Sequence, residues 1–358
     1  MMKWEENVRK VVPYVAGEQP GKADVIKLNT NECPYPPAPG VERLAARMAY
    51  GNLRLYPNSQ ASMLVEALAG YYHVKPEQVF VGVGSDDVLA MAFMTFFNSG
   101  NPILFPDVTY SFYDVWADLY RIPYKTCPLD EKWHIRAEDY QQPNGGVIFP
   151  NPNAPTGLLE SMETVEEIIR TNQDVVVIVD EAYVDFGGTS ALPLLEKYDN
   201  LLVVQTFSKS RAMAGLRIGF CIGSEKLIGY LNDVKFSFNS YTMNLPAQVL
   251  GVEAVRDEVY FKEITGKIIK TRERVKKELK RLGFSFPDSR ANFIFATHET
   301  IPAKELFQAL RAADIYVRYW EKPRISNSLR ITIGTDEQMD RLLVFLEKYL
   351  KMSKNGEM

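Results

Sequence analysis

A lysine, a carboxylate and a glycine-rich turn hold most of the chemistry this sequence can do. Lys209 lies in Thr206-Phe-Ser208-Lys209-Ser210-Arg211, directly after the apolar run Leu201 to Gln205, and Arg217 follows in Gly215-Leu-Arg217-Ile-Gly219-Phe220. A lysine between small hydroxyls is usually solvated. Held in a cleft beside other cations, it loses its proton more easily and becomes a nucleophile toward carbonyl carbon. Asp180 ends the run Val175-Val-Val-Ile-Val and opens Asp180-Glu181-Ala182-Tyr183. The ordinary reading is a cap on the next helix; the functional one is a buried carboxylate that needs a partner. Gly82-Val-Gly84-Ser85-Asp86-Asp87 reads as a tight turn into a helix, whose first amides are free to bind an anion. Asn151-Pro-Asn153-Ala154-Pro155-Thr156-Gly157 is a turn by composition, and Tyr110 is an aromatic that would by default pack in the core.

The elements that must position these residues alternate. Helical periodicity covers Ser62 to Tyr72, Asp86 to Phe97, Tyr110 to Tyr120 and Ser161 to Thr171. Between them, short apolar runs at Val79 to Val83, Ile103 to Phe105, Val147 to Phe149, Val175 to Val179 and Leu201 to Thr206 read as strands buried on both faces. This alternation predicts an α/β fold with a mostly parallel central sheet. In such sheets ligands bind beyond the carboxyl ends of the strands, where each candidate above falls. Before it, Val12 to Gly40 reads as an irregular arm rich in Pro, Asn and Gly. After it come one long amphipathic helix, Asn244 to Leu282, strands near Asn292 to Ala296 and Leu329 to Ile333, and helices at Ala303 to Ala312 and Asp336 to Lys351. The expected organisation is an arm (1–40), a large domain (41–265) and a smaller α+β C-terminal domain (266–358).

Composition removes several classes. A length of 358 residues exceeds one ordinary core. Net charge −4 and scattered Lys and Arg argue against nucleic-acid binding. Three distant cysteines and three histidines without paired spacing argue against a disulfide framework, a zinc site or another metal centre. No run of about 18 apolar residues predicts a membrane span, and the charged start MMKWEENVRK leaves the cytoplasm as the expected location.

One cofactor uses the whole set of strand-end groups. Pyridoxal phosphate needs a lysine for its aldehyde, a carboxylate that keeps its ring nitrogen protonated, and an anion site. In order, Gly82-x-Gly84-Ser85, Tyr110, Asn153-x-Pro155-Thr156-Gly157, Asp180-x-x-Tyr183, Ser208-Lys209 and Gly215-Leu-Arg217-x-Gly219 resemble the fold-type I, class I/II aminotransferases across nearly the whole chain. The interval from Asp180 to Lys209, 209 − 180 = 29 residues, fits that family. Within it, four segments are most similar to the histidinol-phosphate aminotransferases: Val12-Pro-Tyr14 with Lys27-Leu-Asn29-Thr-Asn31-Glu32-x-Pro34; Arg54-Leu-Tyr56-Pro57; Asp180 to Phe186; and Asn327 to Thr335. Threonine-phosphate decarboxylases and aromatic aminotransferases share much of this pattern.

The resemblance implies roles. Lys209 carries the cofactor and shuttles the proton between substrate Cα and cofactor C4′. Asp180 pairs with the ring nitrogen, Tyr183 donates to the ring's 3-oxygen, and Tyr110 stacks on the ring. Gly84, Ser85, Asp86 (through its amide), Ser208 and Arg217 hold the phosphate. Tyr56 reaches the cofactor of a neighbouring subunit, which implies a homodimer. Arg330 takes a carboxylate or phosphate, with Arg318 and Tyr14 as further phosphate contacts and Asn31 beside the substrate. The implied partners are therefore an amino donor and a 2-oxo acid, histidinol phosphate with 2-oxoglutarate. For Arg318 the bland alternative is a surface residue on an edge strand.

Two positions depart from the family. Ala154 stands where most relatives have an Asn that bonds the 3-oxygen, leaving that contact to Asn153 or Tyr183. Cys33 stands where another Asn is common. A nicotinamide dehydrogenase, read from Gly82-x-Gly84, lacks the third glycine and leaves Lys209 and Asp180 unexplained. A non-enzymatic sensor module would need an appended binding domain, and no such extension is visible.

Overall fold

The structure, a computed structural model, describes residues 3–22 and 24–355. Residues 1, 2 and 23 of the expected arm and 356–358 of the expected C-terminal domain lie outside the described residues. The arm is not wholly irregular: it contributes strand β1 (Ile26–Leu28). Three residues of alternation are too few for a period to stand out in the sequence.

Seven strands form the first sheet: β2 (Val79–Gly82), β3 (Ile103–Pro106), β4 (Tyr124–Cys127), β5 (Val147–Pro150), β6 (Val177–Asp180), β7 (Leu201–Thr206) and β8 (Gly219–Gly223). Their order is β2-β8-β7-β6-β5-β3-β4. Only β8 runs against its neighbours, pairing antiparallel with both β2 and β7. It follows that β2, β3, β5, β6 and β7 all point the same way and end on one edge. Alternate side chains enter opposite layers. Ile178, Leu202 and Val204 pack with Val88, Phe93 and Trp116 on one face. Val177, Val179, Leu201 and Val203 pack with Val165 and Ile169 on the other. Each such side chain contributes about 1.5–3 kcal/mol, so the five strand ends are held by a rigid, doubly covered sheet.

The second sheet adds β9 (Phe284–Ser285), β10 (Phe293–His298), β11 (Ile315–Tyr319) and β12 (Leu329–Thr332), in the order β1-β11-β12-β10-β9. Strand β1 pairs parallel with β11, while β10, β11 and β12 pair antiparallel. β11 therefore lies inside the sheet, so Arg318 is not on an edge strand.

The long helix expected over Asn244 to Leu282 is two helices, Leu245–Arg256 and Glu258–Arg281. Asp257 breaks it, because its carboxylate accepts the Tyr260 amide and competes with continued backbone pairing. The helix expected from Tyr110 begins at Tyr113, placing Tyr110 in the preceding turn, where its carbonyl accepts the Tyr113 amide. Among the described residues no helix is long and apolar enough to cross a membrane.

Candidate active site

The ends of β6 and β7 bring Asp180 and Lys209 to one cavity of about 170 Å³, lined also by Thr30, Ser85, Asp86, Tyr110, Ala154, Tyr183, Ser208 and Arg217. The Lys209 Nζ donates to the Thr30 carbonyl at 3.1 Å and lies 6.0 Å from the centre of the Tyr183 ring. Burial disfavours its charged form, the Arg330 cation adds to this, and together they lower its pKa to about 8.

Asp180 is held by two donors. The Tyr113 hydroxyl gives it a hydrogen bond at 2.9 Å and the Ala182 amide another at 3.2 Å. Burial nevertheless pushes it up to about 6. A cation against it would reverse that shift. Its neighbour Glu181 faces the other way, accepting from Ser190, the Ala191 amide and Gln205, and burial pushes it up to about 7.

The third wall is an anion cup. The helix Ser85–Phe96 begins here, capped by Gly84 at φ +86°. A Cβ on Gly84 would stand 2.3 Å from Arg217 Nη2. A Cβ on Gly219 would stand 2.2 Å from the Gly84 carbonyl carbon and from the Ser85 nitrogen. Both positions therefore require glycine, and this closeness sets the guanidinium over the first helical amides. Arg217 reaches Ser208 Oγ at 3.3 Å and the Asp86 carboxylate at 3.1 Å. The Tyr110 hydroxyl donates to the same carboxylate at 2.8 Å.

Ala154 and Tyr110 also line a second cavity of about 380 Å³, together with Tyr14, Trp320, Arg324 and Arg330. The Arg330 guanidinium lies 5.3 Å from the Phe293 ring and 5.1 Å from Trp320, and donates to the Asn29 carbonyl at 2.9 Å. Its Nε is buried without a hydrogen-bond partner. Arg318 sits directly across the strand pair from it. Two facing cations are unfavourable without an anion to share. Tyr14 stacks on Phe112 at 4.2 Å.

Three expected site residues stand elsewhere. The Asn153 amide donates to the Val108 carbonyl and to Thr156, and Asn153 does not line the cavity, because Ala154 takes that place. Arg318 lines neither cavity; it donates to the Val15 and Ala16 carbonyls and so ties down the arm. Asn31 lines neither cavity, since both ends of its amide are taken by Tyr183 and Thr332. Tyr56 is 82% exposed against Tyr241, away from the cavity of its own chain. Tyr113, Thr30, Phe293 and Trp320 were not foreseen. Only Tyr113 left a signal, its place three residues after Tyr110 in the expected helix.

The sequence matches the family described as "Aminotransferase class I and II" over residues 23–346. This chain belongs to that family. Among curated relatives, the aminotransferase is 52% identical over 350 residues to the histidinol-phosphate aminotransferase of Lactococcus lactis subsp. cremoris (strain MG1363), covering 98% of each chain. It is 48% identical over 353 residues to that of Clostridium botulinum (strain Langeland), covering 98% of this chain and 99% of the other. The solved histidinol-phosphate aminotransferase of Sinorhizobium meliloti, in complex with pyridoxal-5'-phosphate, superposes with a TM-score of 0.86 at 24% identity over 95% of each chain. The aminotransferase thus has the fold-type I architecture.

Proposed function

We propose that the protein is a pyridoxal-phosphate-dependent aminotransferase that interconverts L-histidinol phosphate plus 2-oxoglutarate and imidazole-acetol phosphate plus L-glutamate, a step of histidine biosynthesis. The observation that carries this reading is one cavity that brings together a lysine lowered to about pKa 8 and a buried carboxylate, beside a glycine-backed anion cup. The substrate rests on relatives of that name about half identical over nearly the whole chain.

The donor set fits the cofactor. Ser85, Asp86, Ser208 and Arg217 would hold its phosphate, Asp180 its ring nitrogen, Tyr183 its 3-oxygen, and Tyr110 its ring face. When bound, the cofactor supplies an electron-withdrawing ring that makes the hydrogen beside the substrate's amino group removable. Lys209, its pKa lowered to about 8, has a neutral fraction near physiological pH that would take that proton from the substrate's Cα and return it to the cofactor's C4′. Arg330 offers paired donors to the phosphate of one substrate and the carboxylate of the other. Its unpartnered Nε supports an anion there. Exposed Tyr56 supports a homodimer in which each chain supplies a hydroxyl to its neighbour's site.

The visible spectrum of the protein reconstituted with cofactor tests this. A yellow band that bleaches with L-histidinol phosphate alone and returns with 2-oxoglutarate is the expected result. A yellow band that ignores histidinol phosphate overturns the substrate, and a protein that stays colourless overturns the cofactor.

A further inference from the structure

Ala154 removes a donor from the wall where the cofactor's 3-oxygen would lie, and the structure places Tyr183 at that wall with its hydrogen bonding constrained by the arm. Three bonds do this, the first fixed in direction by its backbone donor. The Asn31 backbone N–H donates to Thr332 Oγ1 at 3.0 Å. The Thr332 hydroxyl, already accepting there, donates its one proton to Asn31 Oδ1 at 3.0 Å. With Oδ1 committed to that acceptor role, the Asn31 amide must turn its Nδ2 toward Tyr183, to whose phenolic oxygen it donates at 2.9 Å. A phenol that receives a hydrogen on one side must send its own proton elsewhere. The remaining direction is the cavity that Tyr183 lines.

The relay is rigid. Asn31 is 1% exposed, takes φ +55°, and its carbonyl accepts from Asn292 at 2.9 Å. Thr332 lies on β12 opposite Phe293 of β10. That same Phe293 meets the Tyr183 ring edge-on at 5.0 Å.

We infer that Asn31 and Thr332 are positioning residues that lock Tyr183 as the hydrogen-bond donor to the cofactor's 3-oxygen, standing in for the amide that Ala154 lacks. This rests on the pyridoxal-phosphate reading above. A fixed donor favours negative charge on that oxygen, and so lowers the pH at which the yellow band titrates.

The test is a pH titration of the band in reconstituted holoenzyme, with cofactor affinity measured by equilibrium dialysis. Asn31→Asp places a carboxylate against Tyr183. The phenol must then donate backward and turn a lone pair to the cavity. The expected result is a midpoint about 1–2 pH units higher, the worth of one hydrogen bond to a charged group, with weaker cofactor binding. Adding Ala154→Asn to that variant should bring the midpoint back down, because the new amide supplies the missing donor. Thr332→Val keeps the volume, frees the Asn31 amide to flip, and should shift the midpoint upward by a smaller amount. It also serves if Asn31→Asp does not fold. A folded Asn31→Asp with the wild-type midpoint, a Thr332→Val with no shift, or a shift that Ala154→Asn leaves in place overturns the relay. A wild-type protein that takes no colour defeats the cofactor reading instead.

Discussion

Burial first and the Arg330 cation second lower the pKa of Lys209, against the opposing pull of Asp86 and Glu32. The attacking form is the neutral amine, so the rate of colour development with excess pyridoxal phosphate should rise with pH and level off above about 8. Rapid-mixing absorbance at a series of pH values checks this, and Arg330→Ala should move the midpoint upward. Asp180 and Glu181 give a second pH dependence. Both carboxyls are raised in the fold, to about 6 and about 7. Raised groups favour the folded state while protonated, and that contribution is lost as pH rises through the folded values. The cofactor-free protein should therefore lose melting temperature between about pH 4 and 7. If bound cofactor gives Asp180 a cationic partner, as proposed above, the gap in melting temperature between loaded and free protein should widen over the same range, as calorimetry would read. At this scale, the residues legible in the sequence were those at strand ends. Asn153, expected at the cofactor, bonds Val108 and Thr156 instead, and the cavity wall falls one residue later at Ala154, which the motif alone does not tell. Asn31, expected beside the substrate, turns its amide to Tyr183 and Thr332, and a motif gives no hint of which way an amide faces.

The cup depends on how closely β8 passes the start of the helix Ser85–Phe96. Gly219→Ala would drive a methyl into the Gly84–Ser85 backbone at 2.2 Å. Overpacking of this kind costs about 1–3 kcal/mol, and since it spreads the cup itself, cofactor affinity should fall about 5- to 150-fold. Gly229→Ala, with nothing within 4 Å of its new Cβ, should bind cofactor as the wild type does. Titration calorimetry of the two variants compares them. The sheet's strands were legible because runs such as Leu201–Thr206 are buried along their length, and only a doubly covered strand reads that way. β4 was not, because Tyr124, Lys125 and Thr126 are exposed at the sheet's edge. The break at Asp257 was hidden for another reason: amphipathic periods on both sides run through it, and one capping side chain decides it.

Across the whole molecule, exposed aromatic and aliphatic side chains gather along residues 50–56 and 236–241, among them Tyr50, Leu53, Tyr56 and Phe238. A surface of that character fits a second copy of the chain. If Tyr56 serves the neighbouring site, Tyr56→Phe should weaken cofactor binding about 10- to 100-fold, one hydrogen bond to an ionised group. Mixing it with Lys209→Ala should then restore one tight site per mixed dimer, because the lysine-deficient chain lends its intact tyrosine. Dialysis of the mixture decides it, since a role within one chain predicts no recovery. No sequence period could report such a contact, which is made by neither chain alone. The arm carries a consequence of another kind. Ile26 of β1 lies beside Ile315 of β11, 315 − 26 = 289 residues later, and Thr30 just beyond β1 supplies the carbonyl that holds Lys209. On a ribosome adding about 5–20 residues per second, the first strand made waits roughly 15–60 s for its mate. Birth order and assembly order therefore run in opposite directions: a strand made early is among the last to dock, and the nascent enzyme stays unfinished at Lys209 until β11 has been made.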